Sequence, residues 1–205
     1  MATTKISIGT VNAQIGVYNN AYGEIVNLMS KINSNYFDAM EGKWNTITAH
    51  KYFTSFVNAM NETIDKMNKG FSAASEEIQD AAHHIAEAEG GAQVKRASTP
   101  TIKSMSLTWQ GKDDEYNISD DIDEMTKSNF TNAMTQVENK ISECRKAMET
   151  IRNQGLSDYI SSSAINSINN MISSAKNVAN EYSKDAVQNA ATQDANAKGY
   201  VMKQG

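Results

Sequence analysis

Apolar side chains recur along this chain at alternating intervals of four and three residues, in four long runs separated by short breaks. The first run is Val11, Ile15, Tyr18, Tyr22, Ile25, Met29, Ile32 and Tyr36. The second is Phe53, Phe56, Met60, Ile64, Met67, Phe71, Ala74, Ile78, Ala81 and Ile85, with one slip at Met60. Phe130, Met134, Val137, Ile141, Cys144, Met148 and Ile151 form the third, and Ile165, Ile168, Ile172, Ala175, Ala179, Tyr182 and Ala186 the fourth. Such spacing lays one apolar stripe along a helix. It predicts helices over about 10–38, 46–88 and 119–153, and a fourth starting at Ser157 or Asp158 and ending near 193.

The breaks carry the residues that breaks need. Gly42 can end the first helix in the left-handed conformation, Gly90-Gly91 ends the second, and Gln154-Gly155 ends the third. Ser7 or Thr10 is placed to cap the first helix, and Asn45 or Thr46 the second. Gly70 weakens the second helix by about 1 kcal/mol relative to Ala and leaves room for a close neighbour. Residues 1–8 read as a short disordered lead, and the tail from Ala190 is expected to fray.

Two stripes joined by a short break make an antiparallel helical hairpin. The chain therefore divides into a first hairpin (1–90), a linker (91–117) and a second hairpin (118–205). An offset of 112 residues superimposes the halves, pairing Tyr18 with Phe130, Ile25 with Val137, Trp44 with Leu156 and Phe56 with Ile168. The fold expected is all-α: a tandem coiled-coil-like repeat of two hairpins forming a four-helix bundle. Within the linker, Met105, Leu107 and Trp109 alternate with Ser104, Ser106 and Thr108. That period of two predicts an extended piece packed along the helices by one face.

Composition narrows the function classes. The net charge of −5 is split as −4 over 1–90 and −1 over 91–205, with no basic stripe, which argues against nucleic-acid binding. The single cysteine, Cys144, excludes an intramolecular disulfide and fits synthesis in a reducing compartment. The N-terminus lacks the features of a secretory signal, and no stretch is apolar enough to span a membrane. Export, if it occurs, takes a route that reads no classical signal peptide.

A helix ending at Gly42-Lys43-Trp44, followed by a second helix carrying Phe53 and Phe56, resembles the W-x-G family, the small helical hairpins secreted by bacterial type VII (ESX-like) systems. The resemblance covers about residues 5–90. Thr46 stands where the family has glycine, and the literal Trp109-Gln110-Gly111 lies in the linker, where it reads as a decoy. The resemblance implies two such units fused, a dimer made intramolecular, with Gly42 and Trp44 as hinge and recognition element. It also implies a secretion ATPase or helical protein as partner, and a secreted or cell-surface destination after synthesis in the cytoplasm. The family's export signal is Tyr, three residues, then an acid. Tyr182 with Asp185 falls one residue short of that spacing; Tyr116 with Asp120 fits it at the start of the third helix.

Candidate chemistry is sparse. His83, His84 and Glu87 lie close in sequence, but His50 is most of a helix away and a metal needs three or four converging ligands. Cys144 falls on the apolar stripe and reads as core. Asp113, Asp114, Glu115, Asp120, Asp121, Asp123 and Glu124 crowd the third helix's start, where acids complement the helix dipole, without the spacing of a calcium loop. Trp44 reads either as a recognition surface or as a plug for the hairpin end. The sequence thus suggests a non-catalytic protein without catalytic residues, metal or cofactor, acting by helix-face contacts with other proteins, self-association included. Two alternatives stand beside it: a membrane-active helical effector, whose amphipathic helices lie at an interface, and an intracellular helical adaptor or structural protein unrelated to export.

Overall fold

The computed structural model describes residues 7–88, 90–91, 93–113 and 116–204, with side chains to residue 199. Residues 1–6 of the expected lead, and Asp114 and Glu115 of the acidic run, lie outside the described residues. Helix α1 (Ile8–Ile32) is capped by Ser7, whose hydroxyl accepts from the Thr10 amide, and continues through a π turn (Asn33–Phe37) and a 3-10 turn (Asp38–Gly42). Helix α2 (Ile47–Ala88) starts at Thr46, whose hydroxyl accepts from the Ala49 amide at 3.1 Å. Helices α3 (Ile122–Met125) and α4 (Asn132–Arg152) are joined by a π turn (Thr126–Thr131) into one rod, and α5 spans Ser162–Gln204.

The long helices form an antiparallel bundle of two hairpins. α1 packs on α4, α2 on α5 and α4 on α5. Direction follows from paired contacts. Tyr36 meets Phe130 while the Tyr18 carbonyl meets the Cys144 thiol; Tyr52 meets Tyr182 while Gly70 meets Met171. The α1–α4 pairs are reciprocal to within one helical turn under the 112-residue offset. Phe130 is the equivalent of Tyr18, and Cys144 of Ile32, so each half offers the same surface to the other, as the subunits of a two-fold dimer do.

The stripes form the core nearly as spaced. All eight residues of the first run and all ten of the second are buried. On α5, Met171 takes the buried place expected for Ile172, which is only half-buried. Gly70 does receive a close neighbour: a Cβ there would collide with the Met171 methyl. The π turn after Ile32 lets two consecutive aromatics, Tyr36 and Phe37, both reach the core, where their rings pack at 5.2 Å.

Three local expectations change. Gly42 does not adopt a left-handed conformation; positive φ occurs at Gly90, Gly91 and Gly155 among the described glycines. The π and 3-10 turns wind α1 down instead. Neither Ser157 nor Asp158 caps α5. Ser161 does, its hydroxyl accepting from the Ala164 amide, while Glu77 of α2 accepts from the Ser161 amide and hydroxyl. The tail expected to fray from Ala190 is helical to Gln204, with Ala190 buried.

The linker is the distinctive element. Residues 93–109 run without helix, as a strap, along the groove between α1 and α2 and seat Ile102, Met105 and Trp109 in it. α1 and α2 accordingly approach each other less closely than α4 and α5 do. A strand normally finds its hydrogen bonds in a sheet; here asparagine side chains supply them. The Asn68 amide donates to the Ile102 carbonyl and its oxygen accepts from the Ile102 amide, both at 2.9 Å. Asn61 does the same for Met105, at 3.0 and 2.7 Å. From α1, Asn12 spans Gln93 and Lys95, and Asn19 spans Arg96 and Ser98. Ser75 donates to the Ser98 carbonyl, and Asn33 accepts from the Ser106 amide.

The register has a simple origin. Seven helical residues advance about 10.5 Å and three extended residues about 10 Å, so asparagines seven apart on a helix meet strap residues three apart. Asn61 and Asn68 meet Met105 and Ile102; Asn12 and Asn19 meet segments three residues apart. The burial repeat in the strap is therefore three at Ile102 and Met105 rather than two, and Leu107, expected on the buried face, is half-buried.

Asn68→Ala removes two backbone-satisfying hydrogen bonds at a partly buried site and is expected to cost about 2 kcal/mol, read by urea denaturation. It should also speed tryptic cleavage at Lys103. A change below about 0.5 kcal/mol with unaltered cleavage would mean the strap is held by its apolar side chains alone.

Candidate functional site at the hairpin tip

The tip between α1 and α2 is where the backbone leaves helical geometry, and the linker returns to it. The Lys112 amide donates to the Asn45 carbonyl at 2.8 Å, and the Ser119 amide to the Lys43 carbonyl at 2.7 Å. The hinge is thus pinned between two passes of the linker, with isolated bridges at Thr46–Lys112 and Trp44–Ile118. Lys43 adds an ion pair to Asp121, whose carboxyl is held below its usual range by that ammonium and by the Ser119 hydroxyl.

Trp44 is fully buried. Its ring lies on Tyr52 and edge-on to Phe53, and its Nε1–H donates to the Gln193 side-chain oxygen at 2.9 Å. Thr46 Oγ1 donates to the same oxygen, and Tyr116 Oη donates to the Gln193 carbonyl. One residue near the end of α5 therefore fastens the tip of the first hairpin to the second. Tyr52 Oη donates to the Tyr182 carbonyl at 2.7 Å, and burial pushes the Tyr52 phenol well above its ordinary range. Leu156, the counterpart of Trp44, is likewise buried at the other tip.

The Trp109-Gln110-Gly111 segment is structural. Trp109 is buried, its Nε1–H donating to the Phe37 carbonyl at 2.8 Å. A Cβ at Gly111 would lie 2.5 Å from the Ile47 Cα and 2.9 Å from the Thr46 carbonyl, backbone atoms that cannot move aside. Gly42, by contrast, has open space around its Cβ position and accepts at its carbonyl from Asn117.

The remaining candidates scatter. Tyr182 is half-buried inside α5, stacked on Phe56 at 4.6 Å, and Asp185 is exposed one turn on. Tyr116 is exposed at the tip, and Asp120 is exposed before α3. His83 bridges to Glu87 at 3.2 Å on the surface, while His84 stacks on Tyr159, whose hydroxyl meets its Nδ1 at 2.8 Å. Cys144 is buried, and burial pushes its thiol up to about 12. Among the described residues no group of three His, Cys, Asp or Glu side chains is placed to hold a metal, and no helix is long and apolar enough to cross a membrane.

Gln193, Tyr52 and the strap asparagines were not singled out from sequence. Only the asparagines left a signal there, in their seven-residue spacing on two helices. Comparison with protein-family models, with curated proteins and with solved structures finds no match to this chain.

Trp44→Ala empties a closed layer and is expected to cost about 3–5 kcal/mol, whereas Gln193→Ala should cost about 1–3 kcal/mol by orphaning two donors. Both are read by chemical denaturation. Gly111→Ala should destabilise far more than Gly42→Ala. At pH 8 the Cys144 thiol should resist a disulfide-exchange reagent in the folded protein and react once it is unfolded; rapid reaction in the native state would show that the α1–α4 seam opens readily.

Proposed function

We propose that this chain is a non-catalytic interaction protein, a tandem W-x-G-like substrate or partner of a type VII-like secretion machine. The observation that carries the reading is the reciprocal pairing of two hairpins around a Trp44-bearing tip, which is the arrangement two separate hairpins would adopt as a dimer. Fusion gives each hairpin a high local concentration of its mate, so the pair needs no free second chain. Trp44 serves as the internal plug of the tip, and recognition falls to what surrounds it. Ile47 and Tyr116, two of the three large apolar side chains exposed among the described residues, lie there. A docking machine would meet those two residues beside the Lys43–Asp121 pair.

The test is export from a bacterium with a type VII-like system. The intact chain should accumulate in the medium without a cytosolic marker, and should stay inside when the secretion ATPase is deleted. The double variant Ile47→Ser, Tyr116→Ala should lower export several-fold while leaving the melting temperature within a few degrees. Equal amounts of wild-type chain in the medium of both strains would sink the proposal. Light scattering should give a monomer near 22.5 kDa; a dimer would show that the two hairpins do not satisfy each other.

A further inference from the structure

The two hairpins are equivalent in their packing but not in what fills them. The groove of the first, between α1 and α2, holds the strap. The π turn of the second half inserts one residue, so positions before it correspond at an offset of 111 and those following it on the same rod at 112; on α5 the offset of 112 holds at Ala186, buried like its counterpart Ala74. Burial obeys this shift: Val11 and Ile15 become Ile122 and Thr126, all buried. The residues that grip the start of the strap then have definite counterparts. Asn12 becomes Asp123, Asn19 becomes Thr131, and Ser75 becomes Val187.

Those three counterparts line an open groove. Asp123, Thr131 and Val187 share one depression between α3, its π turn and α5, with a volume of about 500 Å³. It continues past Val187 and Ala191 to Asp120 and Asp194. No segment among the described residues fills it. Further along the second hairpin α4 and α5 close together, so the opening matches only the first part of the strap site, where residues 93–98 dock in the first hairpin.

We propose that this groove is a second strap site, left open to bind in trans a short extended peptide with basic residues followed by apolar ones. The occupied site defines the occupant. There the bound segment is extended and has its backbone held by helix side chains, and 93–110 carries Lys95, Arg96 and Lys103 with no acidic residue. In the open groove Asp123 replaces Asn12, which accepts from the Lys95 amide, so the carboxylate keeps the acceptor and adds a negative charge. Asp120 and Asp194 extend that charge at the same end, Asp194 already bridged to Lys198. Lys127 and Lys184 line the part of the depression away from Asp120 and Asp194, so the basic residues of such a peptide would lie toward the three acids. Such a site requires no export role.

The probe is a fluorescein-labelled peptide of the strap's own residues 93–103, titrated with the full chain and followed by anisotropy. Binding in the range of about 10–100 μM is expected, weakened at least tenfold by Ala191→Arg, an exposed position, and by Asp123→Lys. A peptide with Glu in place of Lys95 and Arg96 should bind at least tenfold more weakly. Two results would overturn the proposal. One is no binding at millimolar protein. The other is binding indifferent to Ala191→Arg but strengthened by Asn68→Ala, which would place the peptide in the first groove by displacement of the strap.

Discussion

A buried backbone must find hydrogen-bond partners, and the strap has no sheet in which to find them. That requirement organises the molecule. An asparagine side chain carries one donor face and one acceptor, the same complement as a peptide unit, so on a helix it can act as a fragment of strand. Because the helical heptad and three extended residues cover nearly the same length, asparagines at one heptad position can grip a strap at regular intervals. Both α1 and α2 do this from opposite sides, which holds the strap between them and holds the helices apart.

Two consequences reach the tip. The strap delivers Trp109 beneath the end of α1 and Gly111 against the start of α2, so the linker arrives with its backbone ready to pair with Asn45. The same chain then passes back along Lys43 before α3 begins. Trp44 is therefore enclosed by its own hairpin, by the linker and by Gln193 of α5. A tryptophan in such a place sets the geometry of the surface above it.

What the sequence made legible followed from period. Stripes at intervals of four and three gave the helices and the two hairpins, because a helix in a bundle is stabilised above all by burying one face. Boundaries were less legible. The tail from Ala190 is polar and small, yet Ala190 itself is buried and Gln193 has a hydrogen-bonding role that composition does not display. Gly42 looked like a left-handed terminator because of its residue type, but a π turn at Asn33–Phe37 had already changed the path of the chain. The strap was visible as an apolar–polar alternation around Met105 and Trp109. Its partners were not, since asparagine on a polar face reads as a solvated residue unless its spacing is compared with that of an extended chain.

The asymmetry between the halves follows from the same constraint. Two equivalent hairpins joined by one linker can supply only one strap, and the linker lies on the hairpin whose helices carry the asparagines. In the second hairpin Thr131 and Val187 stand where Asn19 and Ser75 would be, and α4 and α5 pack directly on each other. Closure is the more stable solution when no strap is present, because an unfilled groove would leave apolar surface in water. The groove stays open only near α3. There the π turn has shifted the helix face, and Asp123 and Lys127 place polar groups along the gap. A pseudo-symmetric fold thus keeps most of its shared core and lets the two grooves diverge, one closed over its own chain and one open near α3.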